Sequence, residues 1–358
     1  MDEKVIQLGA HPVSAAHPPF IIAEMSGNHN QSLERALEIV DVAAACGVQA
    51  LKIQTYTADT MTLDSKNSGF IIDDPKSLWY GQTLYDLYKK AHTPWEWHAA
   101  IFERCRHHNI VGFSTPFDES AVDFLETLNV PFYKIASFEN TDIPLIKRVA
   151  KTGKPVIMST GMATLTEIQE SVQASRKAGC KDMILLKCTS TYPASAESCH
   201  LNTIPVMREK LGCEVGLSDH TMGIGVAIAS IAFGVRVIEK HFTLKRSDGG
   251  VDSTFSLEPP EMKSLVEESR KAWQALGQVN FGPLDAEKKS LIFRRSIYIV
   301  KDLKKGDTLS RENLRCIRPG LGLAPRYYEE LLGKPVTQNV ALGTPMSFDL
   351  IEKKIGEK

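Results

Sequence analysis

The 358 residues contain no apolar run of the ~20 residues that a membrane helix needs, no Cys-x-x-Cys spacing, no surplus of basic residues and no glycine-rich dinucleotide turn. Each absence removes a class of function. Without a long apolar run, no membrane span is expected. Seven cysteines, at 46, 105, 180, 188, 199, 213 and 316, are an odd set without zinc-ligand spacing, so they read as reduced thiols, mostly core filler. Lysine and arginine number 42 against 43 acids, a formal net charge of -1, which leaves no general excess to neutralise a nucleic-acid backbone or a membrane surface. An anionic ligand must then be met locally. Met1 to Pro19 carries acids and prolines where a secretory leader needs a basic start and an apolar centre, so a cytoplasmic protein is expected.

What is present is an ordinary globular composition, 43% hydrophobic and 24% charged, on a chain long enough for one large domain and a small one. Strand-like segments are predicted at 20–26, 50–56, 111–117, 132–137, 156–160, 183–191, 215–220 and 237–243. Helical patterns are predicted at about 33–46, 95–108, 119–128, 142–151, 165–178, 203–211, 223–234 and 259–276. Eight strands alternating with eight helices are the arithmetic of an α/β fold of the (β/α)8, or TIM-barrel, type; a doubly wound open sheet is the competitor. Thr164-Leu-Thr-Glu167 reads as a capping box, and Gly47 and Gly234 sit where helices should stop. The longest interruption, about 58–92, follows the second strand and reads either as a loop covering a substrate or as an irregular surface insertion. After Gly277 the pattern changes. The expected organisation is a catalytic barrel over 1–280, a linker over 281–292 and a compact β-rich module over 293–358.

Polar residues collect at the carboxyl ends of the predicted strands, where a barrel gathers its chemistry. They are Glu24, Asn28 and His29; Lys52 and Gln54; Ser114 and Thr115; Lys134, Ser137 and Glu139; Ser159 and Thr160; Lys187, Thr189, Ser190 and Tyr192; Ser218, Asp219, His220, Glu239 and His241. His220 and His241 end neighbouring strands, so two imidazoles can reach one divalent ion, with Asp219 and Glu239 able to orient them or hold substrate hydroxyls. Two satisfied core histidines are the plainer alternative. A lysine inside an apolar strand is costly unless it is paired. For Lys240, beside Glu239 and His241, the expectation is that it points outward or pairs with a carboxylate. Lys52 and Lys134, with the hydroxyls of Thr115, Ser137 and Ser159, make a donor-rich pocket suited to a phosphate or carboxylate. The residues alone thus suggest a metal-dependent barrel lyase or transferase acting on a phosphorylated enol or carbonyl compound.

Several ordered motifs resemble the sialic acid synthase family. They are Phe20-Ile-Ile-Ala-Glu24, Ser114-Thr-Pro-Phe117, Tyr133-Lys-Ile-Ala-Ser137, Ser159-Thr-Gly161, Gly216-Leu-Ser-Asp-His220 and Glu239-Lys-His-Phe242. Arg318-Pro-Gly320 resembles that family's C-terminal antifreeze-like (SAF) domain. Lys52-Ile-Gln-Thr-Tyr-Thr57, Thr93-Pro-Trp-Glu-Trp-His98 and Lys187-Cys-Thr-Ser-Thr-Tyr-Pro193 look like its pseudaminate-forming branch. Ser190 stands where the N-acetylneuraminate branch usually carries Asn.

The resemblance implies condensation of phosphoenolpyruvate with a 2,4-diacetamido-2,4,6-trideoxy hexose of altro configuration, releasing phosphate. The legionaminate and N-acetylneuraminate branches, and a non-catalytic carbohydrate-binding protein, are the alternatives. It also implies that His220 and His241 bind Mn2+ (or Mg2+ or Co2+), and that Lys52, Thr115, Lys134, Ser137, Ser159 and Ser190 hold phosphoenolpyruvate. Glu24 would handle protons, while Gln54, Glu139, Tyr192, Asp252 and Glu239 would contact the sugar or the metal's surroundings. Trp79, in the covering loop, would suit the methyl of a 6-deoxy sugar. A homodimer is implied in which the swapped small domain brings Arg318 to the partner's site; Arg318 bracing its own turn is the alternative.

Overall fold

The computed structural model describes residues 4–75 and 77–352; residues 1–3 and 353–358, the outer ends of the two expected domains, lie outside the described residues. The chain divides into two compact units, Met1–Gly277 and Gln278–Lys358.

The first unit opens with a hairpin of β1 (Ile6–Leu8) and β2 (His11–Val13). Eight parallel strands follow: β3 (Phe20–Glu24), β4 (Ala50–Thr55), β5 (Val111–Pro116), β6 (Tyr133–Ile135), β7 (Val156–Ser159), β8 (Met183–Cys188), β9 (Glu214–Asp219) and β10 (Val237–His241). They close in chain order, with β10 hydrogen-bonded to both β9 and β3. That closure removes the open-sheet alternative.

The helices are α1 (Leu33–Ala45), α2 (Ala58–Met61), α3 (Leu84–Ala91), α4 (His98–His107), α5 (Glu119–Thr127), α6 (Ile143–Ala150), α7 (Leu165–Lys177), α8 (Thr203–Leu211), α9 (Gly225–Ser230) and α10 (Pro259–Leu276). Their starts are written in the sequence. Ser32, Asp118 and Asp142 accept from backbone N–H groups one turn on, and Thr164 and Glu167 form the expected capping box, each cap contributing about 1 kcal/mol. The interruption at 58–92 carries α2, α3 and an antiparallel bridge from Ile71 to Thr83. No helix among the described residues is long and apolar enough to cross a membrane.

Side chains alternate between the barrel interior and the helix-facing surface with a period of two. The outer faces of the strands pack with the helices through Ile21, Leu51, Ile135, Leu185, Val215 and Ile238. The inner positions form a second apolar cluster of Phe20, Ile22, Ala50, Phe113, Phe132, Ile157, Leu186 and Val237. Ile6, Leu8 and Val13 of the hairpin join that cluster, so the lead-in, which sequence reasoning passed over, closes the amino-terminal end of the barrel. Burying each such side chain stabilises the fold by roughly 1.5–3 kcal/mol.

Early in the second unit a 3-10 helix, Asp285–Phe293, occupies most of the expected 281–292 linker and runs one residue past it. It continues with the antiparallel pair β11 (Ser296–Ile299) and β12 (Leu314–Ile317) and several isolated bridges. Ile297, Ile299, Leu303, Leu309, Leu314, Leu331, Val336, Val340 and Met346 make its separate core.

Candidate active site

Two residues along each strand from the apolar layer, the interior becomes polar. Ile22 gives way to Glu24, Ala50 to Lys52, Phe113 to Thr115, Phe132 to Lys134, Ile157 to Ser159, Leu186 to Cys188 and Val237 to Glu239. All seven of these polar groups are buried. Such a ring is stable only if its charges compensate each other.

They do compensate. Lys52 Nζ stands 2.8 Å from Glu24 Oε2, 3.7 Å from Glu239 Oε1, and donates to Thr115 Oγ1 at 3.2 Å. Lys134 Nζ donates to Ser159 Oγ at 2.7 Å and lies 3.7 Å from Glu239 Oε1. Gln54 Nε2 donates to Glu24 Oε1 at 3.2 Å, and Ser218 Oγ to Glu239 Oε1 at 3.3 Å. Burial pushes the Glu24 carboxyl up to about 7, against the pull of Lys52. Burial would also raise Glu239, but Lys134 and Lys52 together hold it below the usual carboxylate range. Burial would lower Lys52, yet Glu239 and Glu24 raise it, whereas Lys134 is lowered by burial despite Glu239. One carboxyl is therefore poised near neutrality beside two cations.

Hydroxyls surround Lys134. Gly161, with φ +41°, turns the chain after Ser159, and a side chain there would place its Cβ 2.5 Å from Ser137 Cβ and 2.8 Å from the hydroxyl oxygens of both Ser137 and Ser190. Only glycine leaves that cradle open. Ser137 Oγ donates to Cys188 Sγ at 3.2 Å. Cys188 was not among the expected site residues, although the alternation of Lys187 and Cys188 in β8 placed it inward.

The imidazoles of His220 and His241 meet with ring centres 5.3 Å apart. His220 Nδ1 bonds the carbonyl of Thr189 at 2.9 Å, which orients the ring. Burial would lower its pKa, but contact with Cys188 raises it; His241 is driven well below its ordinary value by burial and by His220. His241 Nδ1 and Glu239 Oε2 are buried without a hydrogen-bond partner, and Asp252 Oδ2 is 3.8 Å from that nitrogen. No group of three His, Cys, Asp or Glu side chains is arranged for a metal among the described residues. The donors nevertheless fit a divalent ion held by two imidazoles, the rest of its shell left to water and substrate.

An aromatic wall flanks this pair: Tyr192 lies 4.5 Å from His220 and 5.3 Å from Phe255 between ring centres. Trp79 of the 58–92 segment reaches Tyr192 at 6.2 Å and donates its Nε1 hydrogen to Val251 O. Glu139 is half-buried, and burial lifts its carboxyl to about 7. Asp252 accepts from Ser26 Oγ, and burial raises its pKa.

Other expected residues stand elsewhere. Asp219, expected to hold substrate hydroxyls or orient ligands, points away from the interior and pairs with Lys240 at 3.0 Å, because it alternates with inward Ser218. Lys187 also faces outward, donating to Cys188 O. Asn28 braces Phe242 O and Ser256 Oγ. His29 packs edge-on against Trp97 and beside Thr93, where burial lowers it to about 4. Arg318, in the second unit, is exposed, with no hydrogen bond or ion pair among the described residues.

Known proteins resemble this chain over most of its length. The chain is 42% identical over 340 residues to a pseudaminic acid synthase of Helicobacter pylori, covering 94% of this chain and 99% of the relative. It is 45% identical to the pseudaminic acid synthase of Campylobacter jejuni, covering 90% and 94%. Among solved structures, an N-acetylneuraminic acid synthetase of Leptospira borgpetersenii is 31% identical with a TM-score of 0.71, covering 81% of this chain and 95% of that one. Residues 294–352 match the SAF domain model, and residues 39–281 match that of the NeuB family, so the chain belongs to the NeuB family.

Proposed function

We propose that this protein is a pseudaminic acid synthase: it condenses phosphoenolpyruvate with 2,4-diacetamido-2,4,6-trideoxy-altropyranose, giving pseudaminic acid and phosphate. The observation that carries the chemistry is the buried ring of Lys52, Lys134, Glu24 and Glu239 beside two imidazoles. The choice of sugar follows the two relatives at 42% and 45% identity.

Lys52, Lys134 and the hydroxyls of Thr115, Ser137, Ser159 and Ser190 take the phosphate and carboxylate. In the free site the two lysines are held by Glu24 and Glu239, so an entering anion displaces an existing ion pair and meets charge already desolvated. C3 of the enol attacks the open-chain aldehyde carbon, whose oxygen gains a proton. Water adds at C2, and the C2–O bond to phosphate breaks. Glu24, with a pKa near 7, is suited to pass the protons of the water step. A divalent ion on His220 and His241, with Mn2+ the preferred choice, would supply polarisation of the aldehyde oxygen. Gln54, Glu139, Tyr192 and Asp252 line the side left for the sugar, and Trp79 faces the same aromatic wall.

The protein works as a homodimer in which the partner's small domain supplies Arg318 to the sugar's N-acyl group. It works in the cytoplasm, as its seven free thiols suggest. Phosphate release measured with a panel of acceptor sugars tests the assignment. Turnover with N-acetylmannosamine and none with the diacetamido trideoxy hexose would reject it; sugar binding without any phosphate release would reject catalysis altogether.

A further inference from the structure

His241 ends β10 and His220 follows the last residue of β9, so the spacing of the two imidazoles depends on how these strand ends are held on their helix-facing side. Asp219 and Lys240, each immediately preceding one of the histidines, are register partners across β9 and β10. Both are buried, and their side chains form an ion pair at 3.0 Å. Asp219 Oδ1 also accepts from Thr221 N at 2.9 Å, and Lys240 Nζ donates to Thr221 O as well as to Asp219 Oδ2. Both backbone groups of Thr221, the residue after His220, are therefore held from one buried pair. The carbonyl of His220 itself accepts from Ala194 N at 3.0 Å, while that of His241 accepts from Leu257 N at 2.8 Å.

We infer that Asp219 and Lys240 are positioning residues: a buried clamp on the outside of the barrel that sets the spacing of the His220 and His241 imidazoles for a shared divalent cation. An ion pair this deeply buried is weak evidence for stability, since apolar residues of similar volume would serve the packing as well or better. Its geometric content lies in the two hydrogen bonds from Lys240 Nζ, to Asp219 Oδ2 and Thr221 O, that tie one strand end to the other, while Thr221 N on Asp219 Oδ1 closes the end of β9 on itself. Neither side chain touches the site. The clamp acts through the backbone, in the manner of groups surrounding a metal that orient its ligands and whose loss typically costs 10–100-fold in affinity.

The inference rests on the reading of His220 and His241 as cation ligands, and the experiment separates the two. Mn2+ binding to the full-length protein is measured by titration calorimetry without substrates, alongside thermal melts, for the unaltered protein, Lys240→Met, the double variant Asp219→Leu with Lys240→Met, and His241→Ala. Lys240→Met leaves a buried carboxylate unpaired and is expected to melt lower. The double variant removes both charges and is expected to recover the melting temperature yet bind Mn2+ at least about 10-fold more weakly than the unaltered protein. Phosphoenolpyruvate affinity, read by the same method, should change by less than about 3-fold, because Lys52 and Lys134 hang on other strands. A double variant that melts normally and binds Mn2+ as tightly as the unaltered protein would overturn the clamp. Absence of Mn2+ binding by the unaltered protein, or binding undiminished in His241→Ala, would overturn the cation reading beneath it, and the clamp with it.

Discussion

Glu24→Gln separates two accounts of the buried ring by its effect on stability as well as on rate. Burial pushes the Glu24 carboxyl up to about 7 from an ordinary 4.5, even against the attraction of Lys52. At about 1.4 kcal/mol per pH unit, ionising Glu24 costs about 3 kcal/mol more in the folded chain than in the unfolded one. Because the folded value is the higher, the folded state holds its proton through the window between about 4.5 and 7. Stability from this group is complete below the lower value and lost as pH rises through the upper one. Gln carries no such ionisation and keeps much of the shape. The variant should therefore melt like the unaltered protein near pH 4.5 and become progressively more stable than it up to about pH 8, by as much as about 3 kcal/mol. Phosphate release should fall by about 10²–10⁴-fold if Glu24 moves a proton in the reaction. The assay is a pair of thermal melts across about pH 4.5 to 9, with rates measured on the same samples. A variant less stable than the parent at every pH would refute the reasoning, because Glu24 would then be chiefly a permanently ionised partner for Lys52 at 2.8 Å.

Other consequences follow from the same geometry. Gly161→Ala pushes a methyl into the space between Ser137 and Ser190 and should raise the KM for phosphoenolpyruvate by at least about 10-fold, with strain of about 1–3 kcal/mol visible in the melt. An unchanged KM would mean that the hydroxyl cradle does not hold that substrate. Leu8→Ala opens the closed end of the barrel, where Leu8 is fully buried, and should cost about 2–5 kcal/mol in denaturant melts while leaving kcat unaltered at low temperature. A loss under about 1 kcal/mol would deny the hairpin its place in the core. If the proposed homodimer shares its sites through Arg318, mixing Arg318→Ala with His241→Ala chains should restore roughly a quarter of wild-type turnover, since half the dimers would be mixed and each would hold one complete site. Persistent inactivity of demonstrably mixed dimers would place Arg318 in its own chain's site, and full activity of Arg318→Ala by itself would place it in none.

Local physics makes the barrel legible in the sequence. Short apolar runs, capping residues such as Thr164 with Glu167, and helix stops such as Gly234 are read within a few neighbours, and they located all eight strands and their following helices. The convergence of Glu24, Lys52, Thr115, Lys134, Ser159 and Glu239 followed from strand ends sharing one rim. Other placements depended on which atoms meet across the fold. The sequence alone left Asp219 among substrate contacts, though the alternation that sent Lys240 outward applied to it equally; its partner had to be seen 21 positions away, across a strand pair. Asn28 and His29 follow the last paired residue of β3, where the chain turns and alternation no longer predicts direction, so packing against Phe242 and Trp97 decided their roles. Residues 6–13 carry too short a pattern to announce a plug, and only the closed ring of strands supplied the apolar end that Ile6, Leu8 and Val13 cover. Periodicity reports which face a side chain takes, whereas the identity of its neighbour is a property of the folded chain.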